Sequence, residues 1–382
     1  MKIETVTAKV FRHRTGIVRD SDGHGHPGAE SQTTSALLTI TANTGASGHI
    51  LTRAPDVSDA VLGRFVRPNL TGEDPLCTER LWYKVYKWQR LSGGLLTDRT
   101  LAAIDLALWD LKGKLAGQPV WKLIGGYRNK IPAYASTMCG DDLPGGLATP
   151  EDYAAFAEWC VKTRGYRAMK LHGWMPPMPG APDPRKDYAA CAAVREAVGP
   201  DIPLMLDPHH FYSRTDALWL ANKLAALDFR WMEEPMEEAS ISAYKWLTRS
   251  TTLNILGPET MTGKHWTRAE WVRHGACDLI RAGVWDVGGL TPALKVANMA
   301  ESFHMACEIH GTGAGNLSLA CAIPNTSFYE RGLLHPFLDY DAPAPYQNRI
   351  DDEMDAEGFV HPRAGSGLGQ DIDMDYVEAN LV

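Results

Sequence analysis

The chain has 382 residues, of which 45% are hydrophobic and 22% are charged, and its formal net charge is −8. This length predicts two domains, or one large barrel with an appended domain, and the ordinary globular composition excludes the disordered and fibrous classes. The negative charge argues against a general nucleic-acid-binding protein, because such a protein needs a basic face.

Cysteine usage and the absence of apolar targeting segments indicate the compartment. The seven cysteines are scattered, and no two of them form a CxxC pair. We therefore expect reduced, mostly buried thiols, and neither a zinc knuckle nor a redox dithiol. The N-terminus alternates like a strand and lacks a signal-peptide core, and no segment reaches the length of a membrane span. The expected protein is cytoplasmic, with no membrane partner.

The first third of the chain combines strand and helix patterns. Residues 1–50 contain two β-prone segments, separated by a glycine- and histidine-rich stretch at 19–28 that is typical of a mobile loop. Residues 100–116 have apolar side chains at three- and four-residue steps, which predicts a helix. We predict an α+β capping domain at 1–130.

From residue 131 the pattern becomes a repeat of short apolar segments that end in polar residues. Each segment is followed by a helix-like stretch, and the polar ends recur every 24 to 27 residues over much of this region. That interval fits one strand, one helix and two loops of a parallel (β/α) barrel, which we predict at 131–339. The remainder, about 340–382, is expected to complete the capping domain. The apolar segments are 132–137, 167–172, 202–207, 229–234, 253–259, 277–283, 305–310 and 326–330.

Three successive predicted strands end in a carboxylate. Asp207, Glu233 and Glu259 follow one another at intervals of 26 residues. In a parallel barrel the carboxyl ends of the strands meet at one face, so the three side chains are expected to converge. Converging carboxylates repel one another unless a cation neutralises them, and oxygen ligands favour Mg²⁺. The alternative is that each is a separate surface acid.

Further titratable side chains stand at other strand ends. Lys170 and His172 are two residues apart and share one face of their strand, where a nearby cation could lower a pKa and leave a neutral base. His209 and His310 offer proton donors or acceptors around the same centre. Glu330 is expected at the end of the eighth strand, where other carboxylates would push it toward its neutral, hydrogen-bond-donating form. Separately, each could be an ordinary structural residue.

The order and spacing of seven short motifs resemble the mandelate racemase subgroup of the enolase superfamily. The resemblance covers nearly the whole chain and implies a (β/α)₇β TIM-like barrel, an α+β capping domain built from both termini, and a Mg²⁺ site. The motifs are ALWDLKGK (107–114), KLH (170–172), LMLDPHH (204–210), WMEEP (231–235), GPET (257–260), GGLT (288–291) and HGTG (310–313).

The resemblance also assigns roles to single residues. It implies three metal ligands, a pair of basic residues on one face of the substrate, a histidine on the opposite face and an acid that binds the substrate carboxylate. In that order these are Asp207, Glu233 and Glu259; Lys170 and His172; His310; and Glu330.

Three positions depart from the common pattern of the family. A histidine replaces the second lysine of Lys-x-Lys, and His209 stands where asparagine is frequent, as in the galactonate and mannonate dehydratases of the family. The aspartate that usually orients the seventh-strand histidine is replaced by Gly283, and Asp286 is out of register. His310 is therefore expected to lack its usual carboxylate partner.

The resemblance implies abstraction of the proton next to a carboxylate. Because His209 favours elimination and Gly283 weakens a second base, we predict a Mg²⁺-dependent hydro-lyase that converts a sugar acid to a 2-keto-3-deoxy acid. The alternative is a racemase, epimerase or cycloisomerase of a sugar acid or hydroxy acid. A non-catalytic binding protein is disfavoured because all three carboxylates remain. We expect a homo-oligomer, with substrate specificity determined by His24 and His26.

Overall fold

The computed structural model describes residues 1–382, and its first sheet lies in the N-terminal third. Three antiparallel strands form this sheet in chain order: β1 (Ile3–Arg19), β2 (Gly25–Ala42) and β3 (Ser47–Arg53). Its inner face packs on a long helix, and Gly48 permits the close approach. A Cβ atom at Gly48 would lie 2.1 Å from the carbonyl oxygen of Ala107 on that helix.

The expected mobile loop at 19–28 is mostly strand. β1 continues to Arg19 and pairs with Gly25, and Val18 pairs with His26, so only residues 20–24 lie outside the two strands. The prediction was wrong because residues 25–27 pair with residues 17–19 and so continue the ladder of β1 and β2. The histidines thereby stand at the tip of a long hairpin.

The helices that follow the first sheet include the helix predicted at 100–116. That helix begins after Thr97, whose Oγ1 accepts a hydrogen bond from the Thr100 backbone N–H, and ends at Gly117, which has φ 63°. Its residues are buried almost throughout because it lies between the first sheet and the barrel. The helices are α1 (Asp59–Val61), α2 (Arg67–Leu70), α3 (Thr78–Gln89), α4 (Asp98–Ala116) and α5 (Val120–Leu123).

Eight parallel strands alternate with seven helices in the rest of the chain. The strands are β4 (Ile131–Thr137), β5 (Ala168–His172), β6 (Leu204–Asp207), β7 (Phe229–Glu233), β8 (Asn254–Gly257), β9 (Leu279–Arg281), β10 (Cys307–Glu308) and β11 (Tyr329–Leu334). The helices are α6 (Pro150–Glu158), α7 (Pro184–Val198), α8 (Arg214–Ala226), α9 (Ile241–Thr248), α10 (Lys264–His274), α11 (Leu290–Ser302) and α12 (Ala314–Ala322).

The order of these strands is that of a barrel. Ladders of hydrogen bonds join β4 through β10 in sequence, and β11 returns to pair with β4. A separate cluster that includes Tyr134, Met205 and Trp231 fills the interior, and the helices cover the outside. The predicted fold class, a (β/α)₇β TIM-like barrel with an α+β capping domain, is confirmed.

Two general expectations can be compared with the structure here. No helix combines the length and the apolar character that a membrane span requires. All seven cysteines are free thiols, and six of them are buried.

The C-terminal segment contacts both halves of the molecule. β12 (Phe359–Val360) pairs antiparallel with the start of β4, while α13 (Met374–Ala379) packs against β1. Asp110 on α4 ties the segment down, because its carboxylate accepts hydrogen bonds from the backbone N–H groups of His49 and Leu368 at 2.8 Å each.

These contacts support a division of the chain that we retain as a proposal. A capping domain would comprise residues 1–130 and about 340–382, and the barrel would comprise 131–339. The C-terminal contacts with β1 and α4 favour assigning the last 40 or so residues to the capping domain.

A buried carboxylate joins the capping domain to the barrel. Asp105 on α4 accepts hydrogen bonds from the backbone N–H and the hydroxyl of Thr291, at 2.8 and 2.7 Å. A side chain at Gly289 would collide with it, since a Cβ atom there would lie 2.5 Å from the Asp105 carboxylate. Burial raises the pKa of Asp105 from 3.8 to about 7, because the hydrogen bonds from Thr291 only partly offset the loss of solvation.

The raised pKa of Asp105 predicts a pH-dependent stability. Between about pH 4 and 7 the unfolded chain releases this proton and the folded chain keeps it, so the free energy of unfolding should fall by about 1.4 kcal/mol per pH unit from this group. Urea unfolding of the wild type and Asp105→Asn at pH 5 and pH 7 measures it. The difference in stability between the two proteins should shift in favour of the variant at pH 7. If the stability difference between the two proteins were the same at pH 5 and pH 7, Asp105 would not retain a proton in the folded state.

Candidate active site

The carboxyl ends of the barrel strands bring a buried lysine into a ring of carboxylates. Lys170 Nζ lies 3.3 Å from Asp207 Oδ2, 3.1 Å from Glu233 Oε2 and 3.0 Å from Glu330 Oε1. Burial alone would lower the pKa of Lys170, but the Glu233 and Glu330 carboxylates hold it well above its usual value. These contacts favour the ammonium form of Lys170, and the expectation that a nearby metal ion leaves a neutral base on this strand face stays a prediction.

A second, overlapping group of buried carboxylates brings three oxygen ligands together. Ligand oxygens of Asp207, Glu234 and Glu259 lie within 4.8 Å of one another, and all three residues are buried. Neither oxygen of Glu234 accepts a hydrogen bond. Burial, reinforced by repulsion from neighbouring carboxylates, raises the pKa values of Glu234 and Glu259 well above the usual range. Three buried oxygen donors of this kind fit a hard divalent cation such as Mg²⁺.

Glu233, the predicted ligand, lies between two cations. Its Oε1 is 2.7 Å from Arg281 Nε, its Oε2 is 3.1 Å from Lys170 Nζ, and Trp231 Nε1 donates to Oε2 at 3.2 Å. Its role as a metal ligand stays a prediction, since the compact cluster contains the adjacent Glu234 instead. The motif WMEEP contains two adjacent glutamates, and the sequence does not show which of them faces the carboxylate cluster.

The structure corrects both the position and the charge expected for Glu330. It is the second residue of β11, not its last, and its carboxylate contacts Lys170 and Arg281 Nη2, the latter at 2.8 Å. The backbone N–H of Gly311 donates to the same oxygen at 2.8 Å. Although burial would raise the pKa of Glu330, Lys170 and Arg281 hold it well below its usual value, so the acid is ionised. Sequence reasoning missed Arg281, which is fully buried.

His172 is held beside the carboxylates by contacts to its backbone. Its Nε2 lies 3.1 Å from Asp207 Oδ2, on the same side as Lys170, as the two-residue spacing predicted. Its N–H donates to Thr137 Oγ1 at 3.0 Å, and Tyr153 donates its hydroxyl proton to the His172 carbonyl at 2.5 Å. Nδ1 is buried without a partner. The imidazole is thus fixed in place with one nitrogen uncommitted.

His209 and the following His210 adopt a strained backbone next to Asp207. Their φ angles are 54° and 56°, a region that non-glycine residues seldom occupy outside constrained sites. The His209 N–H donates to Asp207 Oδ1 at 3.0 Å, and its Nδ1 lies 3.3 Å from Glu234 Oε1. Burial lowers the pKa of His209 to about 4 in spite of Asp207. The ring therefore faces the carboxylate cluster, whereas His210 Nδ1 is 4.0 Å from Glu234.

His310 does have a carboxylate partner, contrary to the expectation drawn from Gly283. Its Nδ1 lies 2.7 Å from Asp286 Oδ2, and its Nε2 lies 3.1 Å from Glu259 Oε1. Burial would lower the pKa of His310, but the carboxylates of Glu259 and Asp286 raise it to about 10. The family spacing points to position 283 and so excluded Asp286. In the structure the chain turns back directly after β9, because the backbone N–H of Asp286 donates to the Gly283 carbonyl.

The tip of the capping hairpin closes over this group. His24 is 8% exposed, and its ring centroid lies 4.6 Å from that of His209. Asp20 contacts both hairpin histidines, at 3.2 Å from His24 Nδ1 and 3.0 Å from His26 Nε2. Burial would raise the pKa of Asp20, but hydrogen bonds from His26 and His24 lower it to about 2. The structure thus brings His24 into contact with His209, whereas His26 is linked to the site through Asp20.

The sequence matches two family descriptions in tandem. Residues 26–125 match the mandelate racemase / muconate lactonizing enzyme N-terminal domain, and residues 152–376 match the enolase C-terminal domain-like family. The second match alone covers more than half of the chain.

Individual relatives extend over nearly the whole length. The structure of a D-glucarate dehydratase from Agrobacterium tumefaciens, complexed with magnesium, is 54% identical and covers 100% of this chain and 99% of its own, with a TM-score of 0.98. D-galactarolactone cycloisomerase of Agrobacterium fabrum is 27% identical over 98% of this chain and 97% of its own.

A third relative, L-talarate/galactarate dehydratase of Salmonella typhimurium, is 27% identical over 79% of this chain and 71% of its own. The two family matches lie in the same order as the capping sheet and the barrel, and the relatives cover both. The chain therefore belongs to the mandelate racemase subgroup of the enolase superfamily.

Proposed function

We propose that the protein is a Mg²⁺-dependent dehydratase of a sugar acid. The observation that carries this proposal is the arrangement of two imidazoles around the carboxylate cluster. His172 approaches it at Asp207 and His310 approaches it at Glu259, each with Nε2 3.1 Å from a carboxylate oxygen. A substrate carboxylate bound at the centre would have a proton acceptor and a proton donor on different sides of its α-carbon.

Asp207, Glu259 and one or both of the adjacent Glu233 and Glu234 would hold the cation. When bound, Mg²⁺ supplies the positive charge that stabilises the anion formed as the α-proton leaves. Lys170 adds a fixed ammonium group next to the same position, and its three carboxylate contacts keep it protonated.

His172 takes the α-proton in this proposal. The electron pair left on the α-carbon forms a double bond to the β-carbon, and the bond between the β-carbon and its hydroxyl oxygen breaks. A second histidine, His209 or His310, donates a proton to that oxygen, which leaves as water. The resulting enol then becomes the 2-keto-3-deoxy acid. Atoms and charge balance without an oxidant or a further reactant.

A racemase, epimerase or cycloisomerase is the second candidate, and one observation favours it. His310 has a carboxylate partner in Asp286, so it is equipped to act as a second acid–base group. The D-galactarolactone cycloisomerase among the relatives shows that the family also includes such activities. Dehydration is preferred because His209 adds a third imidazole to the carboxylate cluster, with its Nδ1 3.3 Å from Glu234 Oε1.

A substrate screen tests the proposal directly. Purified protein with Mg²⁺ is incubated with a library of aldonic and aldaric acids, and 2-keto acid is measured chemically while optical rotation reports isomerisation. Dehydration predicts 2-keto acid from at least one member, with Asp207→Asn inactive. An isomeric acid without 2-keto acid would support the second candidate, and no reaction in the whole library would contradict both.

The hairpin histidines are expected to determine which sugar acid is accepted. The His24 ring packs against the His209 ring, and Asp20 contacts both His24 and His26. The tip of the hairpin between β1 and β2 therefore forms one wall beside the proposed reacting groups. Replacing His24 and His26 together with Ala should raise KM on the preferred acid by about tenfold. That factor corresponds to about 1.4 kcal/mol of binding free energy, roughly the loss of one hydrogen bond to a charged group. Mg²⁺ affinity should not change.

The matched control is His361→Ala, an exposed histidine that also contacts an aspartate but lies outside the barrel mouth. Steady-state kinetics on the best substrates of the screen provide the measurement. Identical kinetic constants in the double variant and the wild type would show that the hairpin only covers the site.

A further inference from the structure

The loops after β6 and β7 bring two imidazoles to one buried carboxylate. His209 Nδ1 lies 3.3 Å and His210 Nδ1 lies 4.0 Å from the same oxygen, Glu234 Oε1. The ligand atoms of these three residues all lie within 4.8 Å of one another. Ligands of a tetrahedral cation, each about 2.1 Å from it, are roughly 3.4 Å apart, so a small rotation of the His210 ring brings all three to one ion.

The carboxylate of this group has no hydrogen-bond partner. Glu234 is fully buried, and neither of its oxygens accepts a hydrogen bond, although two imidazole nitrogens approach Oε1. A buried carboxylate in this state is costly, and a bound cation removes the cost. Because both oxygens are free, Glu234 can contact one cation together with Asp207 and a different one on the side of the histidines.

Backbone hydrogen bonds hold the two loops together at this place. The His210 N–H donates to the Glu234 carbonyl at 2.6 Å, and the Tyr212 N–H donates to the Pro235 carbonyl at 3.0 Å. The Glu234 N–H in turn donates to the Leu256 carbonyl of β8 at 3.1 Å. The main chain therefore fixes the separation between the imidazoles and the carboxylate, and little ordering is needed when an ion binds.

The two imidazoles are accessible from solvent. The side chains of His209 and His210 are 28% and 34% exposed, whereas that of Glu234 is 0% exposed. An ion can therefore reach the group from the mouth of the barrel. It can also keep a water ligand, as zinc ions with three protein ligands do.

The donor atoms of this group select a different class of cation from Mg²⁺. Two imidazole nitrogens and one carboxylate oxygen suit zinc and the neighbouring transition metals, whereas Mg²⁺ prefers oxygen ligands in an octahedral arrangement. The compact cluster of Asp207, Glu234 and Glu259 offers oxygen atoms alone. The two groups are therefore expected to take different ions, although they share Glu234.

We propose that His209, His210 and Glu234 form a second cation site, which binds a divalent transition-metal ion of the Zn²⁺ class. An ion on His209 Nδ1 takes the place of a proton at that nitrogen, so it withdraws His209 from proton transfer and inhibits turnover. This inhibition rests on the proposed function, whereas the binding of the ion does not.

Calorimetric titration of Zn²⁺ into the full-length protein in saturating Mg²⁺ tests the site. The wild type should bind Zn²⁺ tightly, and His210→Asn should weaken that binding by more than about 100-fold, which exceeds the usual effect of an outer partner. Asparagine tolerates the left-handed backbone at position 210, where φ is 56°. Mg²⁺ affinity should not change. Absence of Zn²⁺ binding, or equal Zn²⁺ affinity in His210→Asn, would overturn the proposal.

Co²⁺ provides a spectroscopic readout, because its visible absorption depends on the ligands that hold it. The spectrum of the bound ion should be lost in His210→Asn and in Glu234→Gln. It should be retained in His361→Ala, the matched control, because His361 is exposed and contacts an aspartate outside the barrel mouth. A spectrum that survives both site variants, or that disappears in the control, would place the ion elsewhere and overturn the proposal.

Inhibition is measured with the sugar acid found by the screen. In saturating Mg²⁺, Zn²⁺ should lower kcat of the wild type by at least about 10²-fold, the lower limit for loss of an acid–base group, and should have no such effect in His210→Asn. Inhibition that persists in His210→Asn and is relieved by more Mg²⁺ would overturn the inhibitory role, since Zn²⁺ would then replace Mg²⁺. If no sugar acid reacts, calorimetry and Co²⁺ absorption still decide whether the site exists, so failure of the proposed function is distinguishable.

Discussion

Removal of divalent cations is expected to abolish turnover, and Mg²⁺ is expected to restore it. The reason is the compact group of buried carboxylates at Asp207, Glu234 and Glu259, in which neither oxygen of Glu234 accepts a hydrogen bond. A cation that supplies several kcal/mol of charge stabilisation accounts for at least about 10³ in rate, at about 1.4 kcal/mol per factor of ten. Activity on the substrate found by the screen is measured after exhaustive EDTA treatment and again after Mg²⁺ is added. Full activity in EDTA would contradict the metal site.

Calorimetric titration of Mg²⁺ into variants separates the adjacent glutamates. Glu259→Gln should lose binding, because it removes one ligand from the compact cluster. Glu233→Gln and Glu234→Gln should both weaken binding. The first removes one of the carboxylates that balance Arg281 next to the metal, and the second removes a buried carboxylate that accepts no hydrogen bond. The true third ligand is the one whose loss exceeds the roughly 10–100-fold expected for an outer partner. Unchanged Mg²⁺ affinity in both Glu233→Gln and Glu234→Gln would contradict the assignment of this carboxylate cluster as the metal site.

His172→Asn is expected to reduce turnover by about 10²–10⁴-fold and to abolish exchange of the substrate α-proton in deuterated water. The physical reason is that His172 lies 3.1 Å from Asp207 with its backbone anchored and its Nδ1 free, so no neighbour replaces it as the acceptor. Exchange is followed by proton NMR of the recovered substrate.

His209→Asn is the matched variant for that experiment. It removes an imidazole that contacts Glu234 and leaves the proposed acceptor in place, so it should impair turnover more than exchange. Normal turnover in His172→Asn would show that the base lies elsewhere, with His310 or His209 as the replacement. Equal loss of exchange in both variants would show that the two histidines act in the same step.

Local patterns were sufficient for the barrel and for most of its reacting side chains. Each strand predicted from an apolar segment is present. Such a segment is recognised from residues that are adjacent in sequence, so its prediction needs no knowledge of distant contacts. The interval of 26 residues placed Asp207, Glu233 and Glu259 at one face for the same reason. Lys170 and His172 both reach Asp207, as side chains two apart on a strand must.

Charge states were decided only in the folded molecule. Nothing near Glu330 in sequence shows that Lys170 and Arg281 will contact it, and these two cations convert an expected neutral acid into an ionised one. Arg281 itself ends a short apolar strand and carried no motif. Electrostatic energy depends on distances across the barrel, and those distances join residues from different repeats.

The sequence by itself determined the family, the fold and the strand ends from which the candidate site is built, because these follow from local periodicity and from motif order. Only the tertiary structure decided which of Glu233 and Glu234 joins the compact carboxylate cluster, that the histidine hairpin reaches His209, and that Asp286 replaces the acid missing at Gly283. In each case the deciding event is a change of chain direction just beyond a strand, such as the turn that returns Asp286 to Gly283. Such turns are fixed by packing against other elements, and counting residues along a straight strand cannot anticipate them.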